Sequence, residues 1–166
     1  MAGCIDPSVE MHFIGHLQTR KIRKAVEICD MIQTVDSIKA AEAINTACGQ
    51  IEKIMPVLIE VNSGEEPQKH GVFPAEIEKL VREMAELEHV RILGLMTMGP
   101  FSENPEDLRP CFRITKQWFD RIKSLNLPNT DFQWLSMGMS DSYQIAIEEG
   151  ANMVRIGTGI FGLRDN

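Results

Sequence analysis

The chain has 166 residues, a formal net charge of -7, and 43% hydrophobic, 25% charged and 6% aromatic residues. That length suits one domain with a real core, and the ordinary composition excludes wholesale disorder. An excess of Asp and Glu (24) over Lys and Arg (17) argues against a duplex nucleic-acid binder, while leaving room for a local anion pocket.

In chain order, the opening segment Met1–Pro7 carries neither a basic region nor a long apolar run. No signal peptide is expected there. No segment reaches the roughly 18 apolar residues of a membrane helix, so the reading is cytoplasmic. Strand candidates follow at residues 12–15, 31–35, 57–62, 92–98, 132–136 and 153–157. Val57-Leu58-Ile59 and Ile92-Leu93-Gly94-Leu95-Met96 are continuous apolar runs, the pattern of parallel strands buried on both faces. Between the strands, Ile38, Ala41 and Ile44 share one helical face. Ile77, Leu80, Val81, Met84 and Leu87 form a second, and Phe112, Thr115, Phe119, Ile122 and Leu125 a third. Asp36-Ser37, Pro74 and Asn104-Pro105-Glu106 are helix-start signals. Met96 and Met98 read as packing residues.

The series is β-α repeated, which fits either a doubly wound sheet or a (β/α)8 barrel. A complete barrel of roughly 250 residues spends about 31 on each unit. The spacing here matches, so a barrel reading means a partial barrel of about six units.

Several chemistry-bearing patterns stand out. Cys4, Cys29, Cys48 and Cys111 are scattered, as expected of buried, reduced thiols. His12 and His16 are four apart but enclose Phe13-Ile14-Gly15, without the glutamate of a zinc protease, so no metal site is expected from that pair. Gly157-Thr158-Gly159-Ile160-Phe161-Gly162 satisfies a dinucleotide fingerprint literally, yet only Leu163–Asn166 follow it, too few for the helix and the acidic ribose ligand. A phosphate reading needs only glycine-exposed amides and a hydroxyl. The segments Ser136-Met137-Gly138-Met139-Ser140 and Gly157-Thr158-Gly159 supply both; tight turns are the plain alternative. Arg155 sits between Val154 and Ile156 in an apolar strand, where an unpaired charge is costly. Either a helix carboxylate pairs it, or it anchors a ligand.

His12-Phe13-Ile14-Gly15-His16-Leu17-Gln18, Val61-Asn62-Ser63-Gly64-Glu65-Glu66 with Lys69 and Gly71, Leu135-Ser136-Met137-Gly138-Met139-Ser140-Asp141, and the stretch Val154–Gly162 resemble, in order, the motifs of the YggS/PROSC family of pyridoxal phosphate homeostasis proteins. The resemblance implies an α/β fold, a (β/α)8 TIM-type barrel like the alanine racemase N-terminal domain. It would form one partial domain over residues 1–166 that binds pyridoxal 5'-phosphate (PLP) at the strand C-termini. It implies Ser136, Gly157 and Thr158 as phosphate ligands and Arg155 as partner of the pyridine nitrogen, with His12 and Asn62 lining the ring side. A fixed guanidinium beside that nitrogen disfavours its protonation and weakens the cofactor as an electron sink. The implied role is therefore a non-catalytic carrier, a monomer or homodimer, with apo-enzymes that use the cofactor as recipients. The alternatives are a barrel enzyme that binds phosphate without this cofactor, and an inactive shortened copy. An amino-acid racemase or decarboxylase would need a lysine base on the cofactor. The family's Schiff-base lysine lies on a first strand that this chain lacks, together with the unit after it. None of the eight lysines falls in an expected strand, and Lys69, in the loop 62–73, is the sole candidate to meet the cofactor aldehyde.

Overall fold

In a computed structural model, residues 6, 8–100, 102 and 104–162 are described. Six strands, β1 (His12–Phe13), β2 (Met31–Val35), β3 (Met55–Glu60), β4 (Val90–Thr97), β5 (Thr130–Met139) and β6 (Met153–Arg155), form one sheet in the order β1-β2-β3-β4-β5-β6. Every neighbouring pair is parallel. A doubly wound sheet reverses its strand order at a switch point; this sheet never does, which is barrel topology.

Helices α1 (Ile22–Ile28), α2 (Ile38–Gly49), α3 (Ile77–Met84), α4 (Arg109–Ser124), α5 (Tyr143–Glu148) and α6 (Thr158–Phe161) follow the successive strands. The start signals act as read. Ser37 Oγ accepts the Ala40 amide at 3.4 Å. Asn104 Oδ1 accepts the Glu106 amide, and Pro74 opens the 3-10 turn that leads into α3. The three helical faces identified from periodicity are the buried ones: Ala41 and Ile44; Ile77, Leu80, Val81 and Met84; Phe112, Thr115, Phe119 and Ile122. Among the described residues no helix is long and apolar enough to cross a membrane.

The continuous apolar runs are explained by burial on both faces of the sheet. Val57, Ile59, Leu95 and Ile32 pack outward in the large core under the helices. Their alternates Leu58, Met96 and Met31 form a second cluster on the inner face, with Leu93, Trp134 and Met153 against it. Farther along the strands the inner face turns polar, with Gln33, Glu60, Ser136 and Arg155.

The sheet must curl to hold that layer together. Strands β2 and β5 are three places apart, about 14 Å in a flat sheet, beyond the joint reach of a glutamine and a serine. Yet Ser136 Oγ donates to Gln33 Oε1 at 2.7 Å. Close approach of β4 to β5 is set by Gly94, at φ +151°, whose added Cβ would lie 1.8 Å from the Trp134 carbonyl oxygen. Only glycine fits there.

Candidate functional site

The C-terminal ends of the strands surround a cavity of about 580 Å³, bordered by Glu60, Asn62, Lys69, Met98 and Met139 among others. This is the end at which barrels place their chemistry.

Arg155 dominates the polar layer behind Thr97, a residue that borders the cavity. Its Nη1 donates to the Ser136 carbonyl (2.9 Å) and Oγ (2.7 Å), and its Nη2 donates to the Thr97 carbonyl at 2.8 Å. Among the described residues no carboxylate lies within ion-pair distance, so the helix-carboxylate alternative is set aside. Nε remains, buried and without a partner. Burial pulls this guanidinium down to about 10 while Glu60 holds it up, so it is charged at neutral pH. Glu60, 8% exposed, makes no side-chain hydrogen bond or ion pair among the described residues. Burial first, and then the Asp36 charge, push its carboxyl up; His70 and Arg155 pull it back.

The structure brings together some of the residues singled out from the sequence and separates others. Ser136 is fully buried and lies inside the strand, not at its tip: its hydroxyl donates to Gln33 and accepts from Arg155. The hydroxyl that reaches the Gly-rich segment is that of Ser140, which accepts the Gly159 amide at 3.0 Å. Gly157 and Thr158 are exposed at the β6–α6 junction on the same end. His12 joins the polar layer from β1, its Nδ1 sitting 2.9 Å from Gln33 Nε2. Asn62 is committed to its own loop: Nδ2 donates to the Glu66 carbonyl at 2.8 Å and Oδ1 accepts the Glu66 amide at 3.1 Å. Its side chain shapes the β3 loop. Lys69 borders the cavity, with Nζ 2.6 Å from Glu66 Oε1 and donating to the Gly99 carbonyl at 3.3 Å. Met96 packs as expected, whereas Met98 is partly exposed on the cavity wall.

Gln33, Glu60 and Ser140 were not singled out. Gln33 and Glu60 carry the signal that marked Arg155, a polar residue inside an apolar run. Ser140 and Ser136 are equivalent hydroxyls until strand register separates them: Ser136 pairs with Met153 at the start of β6, Met139 with Arg155 at its end. Cys29, Cys48 and Cys111 are buried free thiols, pushed up by desolvation; Cys4 lies outside the described residues.

Comparison with known proteins matches residues 6–165 to the alanine racemase N-terminal domain. The chain is 42% identical over 162 residues to a pyridoxal phosphate homeostasis protein of Aquifex aeolicus, covering 96% of this chain and 69% of that one. It is 36% identical over 167 residues to the Homo sapiens protein of that name, covering 96% of this chain and 60% of the human one. The structure of PipY from Synechococcus elongatus with PLP bound superposes with a TM-score of 0.85 at 31% identity, over 94% of this chain and 72% of PipY. The chain thus spans between 60 and 69% of the length of these two curated relatives.

Proposed function

The chain belongs to the pyridoxal phosphate homeostasis family, built on the alanine racemase N-terminal domain, and from that premise we propose that it binds PLP reversibly, as a carrier within cofactor homeostasis and not as an enzyme. The observation that carries the proposal is the orphaned Arg155 Nε: a buried cationic donor lacking only an acceptor. A pyridine nitrogen with a free lone pair is such an acceptor, and the donor set therefore fits the group. When bound, the cofactor supplies an electron-withdrawing ring and an aldehyde that captures amines.

The protein's own residues do the rest. The exposed Gly157 and Thr158, through their amides and the Thr158 hydroxyl, would hold the phosphate together with Ser140. Ser136 and the Thr97 carbonyl fix the Arg155 fork, and Gln33, itself against His12, holds Ser136 across the curled inner face. Asn62 holds the loop that carries Lys69. Lys69 is engaged by Glu66 and the Gly99 carbonyl and is not presented to the aldehyde, so binding is weak. Arg155 would disfavour protonation of the ring nitrogen and so withhold the electron sink that amino-acid chemistry needs. The recipients we propose are apo-enzymes that use the cofactor.

The test is absorbance titration with pyridoxal phosphate, beside pyridoxal without the phosphate. Saturable binding is expected, reversed by dialysis, at least tenfold weaker for pyridoxal and for Arg155→Gln, with no turnover of amino acids. Equal binding of both compounds, or full affinity in Arg155→Gln, overturns the site. Turnover of an amino acid overturns the carrier role.

A further inference from the structure

Three neighbouring strand tips bring together side chains that the cofactor reading does not use. His16 follows β1, Asp36 follows β2, and His70 lies in the loop after β3. One ligating atom from each falls within 4.8 Å of the other two. The imidazoles of His16 and His70 are stacked, ring centroids 3.7 Å apart and 11° from parallel. Asp36 Oδ2 lies 3.8 Å from His70 Nδ1. We propose that His16, Asp36 and His70 form a binding site for a divalent transition cation of the zinc class, with one coordination position open to the cavity.

The backbone around each residue is fixed, which separates this cluster from a chance meeting of surface groups. His70 is followed by Gly71 at φ +107° and by Val72, which bridges in parallel to Val61. The Val72 amide donates to the Glu60 carbonyl at 2.8 Å, and the Asn62 amide to the Val72 carbonyl at 2.9 Å. An added Cβ at Gly71 would meet the Asn62 nitrogen at 2.6 Å, so the chain returns to β3 at this point and carries His70 with it. The His16 loop is tied to β2 by Thr34 Oγ1, which donates to the Gly15 carbonyl at 2.7 Å. Ser37 Oγ donates to Asp36 Oδ1 at 3.1 Å, orienting the carboxylate and leaving Oδ2 toward the imidazoles. Hydrogen-bonded support of this sort is what holds first ligands in register.

Donor chemistry selects the ion. Two imidazole nitrogens and one carboxylate suit zinc and its neighbours in the first transition row; calcium and magnesium want oxygen sets. Tetrahedral bonds of about 2.0–2.2 Å put donor atoms about 3.3 Å apart, so the cluster closes by about 1.5 Å at most, and the stacked rings turn out of the stack so that each imidazole meets the ion in its own plane. The His16 and His70 side chains are exposed enough to make that movement by χ rotation. His16, His70 and the unpartnered, buried Glu60 all border the cavity. An additional carboxylate there favours a cation, and a fourth position facing the cavity is free for water or an anionic ligand.

The experiment uses Co2+ alone, without pyridoxal phosphate, on protein first stripped with a chelator. A one-to-one titration with visible ligand-field absorption is expected, displaced by Zn2+ and not by Mg2+. His16→Ala, His70→Ala and Asp36→Asn should each weaken it about 100-fold or more, with unchanged circular dichroism. His89→Ala, at a histidine outside the cluster, should match the unaltered protein. Absence of the Co2+ band, thiolate charge-transfer absorption in its place, or equal affinity in His16→Ala and His70→Ala would overturn the site. The cofactor proposal stands or falls separately, since neither the probe nor these variants involve Arg155 or the Gly-rich segment.

Discussion

The two serines of one short segment are expected to respond oppositely to truncation. Ser136→Ala removes a fully buried hydroxyl that donates to Gln33 Oε1 at 2.7 Å and accepts from the charged Arg155 Nη1 at 2.7 Å. The loss leaves a buried acceptor unsatisfied and deletes a charge-assisted bond. Together these cost about 3 kcal/mol. With a urea slope of about 2 kcal/mol per molar, the unfolding midpoint falls by about 1.5 M. Ser140→Ala deletes one exposed bond to the Gly159 amide, worth less than about 0.5 kcal/mol to stability. Its effect falls on the ligand: losing a bond to a phosphate costs about 1.5 kcal/mol, about tenfold in affinity for pyridoxal phosphate. Urea unfolding and absorbance titration on the same two variants separate the effects. A destabilisation below about 0.5 kcal/mol in Ser136→Ala, or equal stability losses in both, would refute the assignment of the two hydroxyls.

Gly94→Ala forces a Cβ against the Trp134 carbonyl at φ +151° and should cost more than about 4 kcal/mol. Gly15→Ala, with nothing within 4 Å, should stay near the starting stability; thermal unfolding distinguishes them. Lys53 Nζ donates to the Val26 and Cys29 carbonyls at 2.8 and 2.6 Å, closing the C-terminus of α1. Lys53→Met should therefore lose about 1–2 kcal/mol, read by urea unfolding. The carboxyls of Glu78, Glu106 and Glu149 are held below the usual range by hydrogen bonds from Arg82, Arg109 and Arg113 respectively. Their folded values are depressed, so their contribution is complete above the unfolded value of about 4.3 and is lost as pH falls through the folded values. Glu60, raised, has the opposite sign: its proton favours the folded state, and that contribution fades as pH rises. The melting temperature should thus decline below about pH 4, with a shallower decline in high salt.

Much of the architecture was readable because burial on two faces writes itself into composition. β3 and β4 announce themselves as unbroken apolar runs, and the faces of α2, α3 and α4 by steps of three and four. Strand ends were less legible. β5 runs to Met139, past the end at 136 read from the sequence, because Met137 pairs with Thr97 of β4 and Met139 with Arg155 of β6. β1 pairs over only His12–Phe13. The short helices α1 and α5, 7 and 6 residues long, offer too few turns for a periodic signal. In the site, Arg155 was visible as a charge in an apolar strand. The partnership of Gln33 with Ser136 depends on curvature across four strands, and the gathering of His16, Asp36 and His70 on three separate loops; neither leaves a local trace.

The Gln33–Ser136 bond joins positions 103 apart in sequence, whereas each strand pairs with its immediate successor. During synthesis the outer wall can therefore assemble unit by unit as the chain emerges, each βαβ step pairing a strand with its predecessor through one helical crossover. The inner latch cannot engage until β5 has arrived, nor the Arg155 fork until β6 has. A nascent chain stalled before residue 130 would therefore possess the wall and most of the cavity lining, but neither the latch nor the fork.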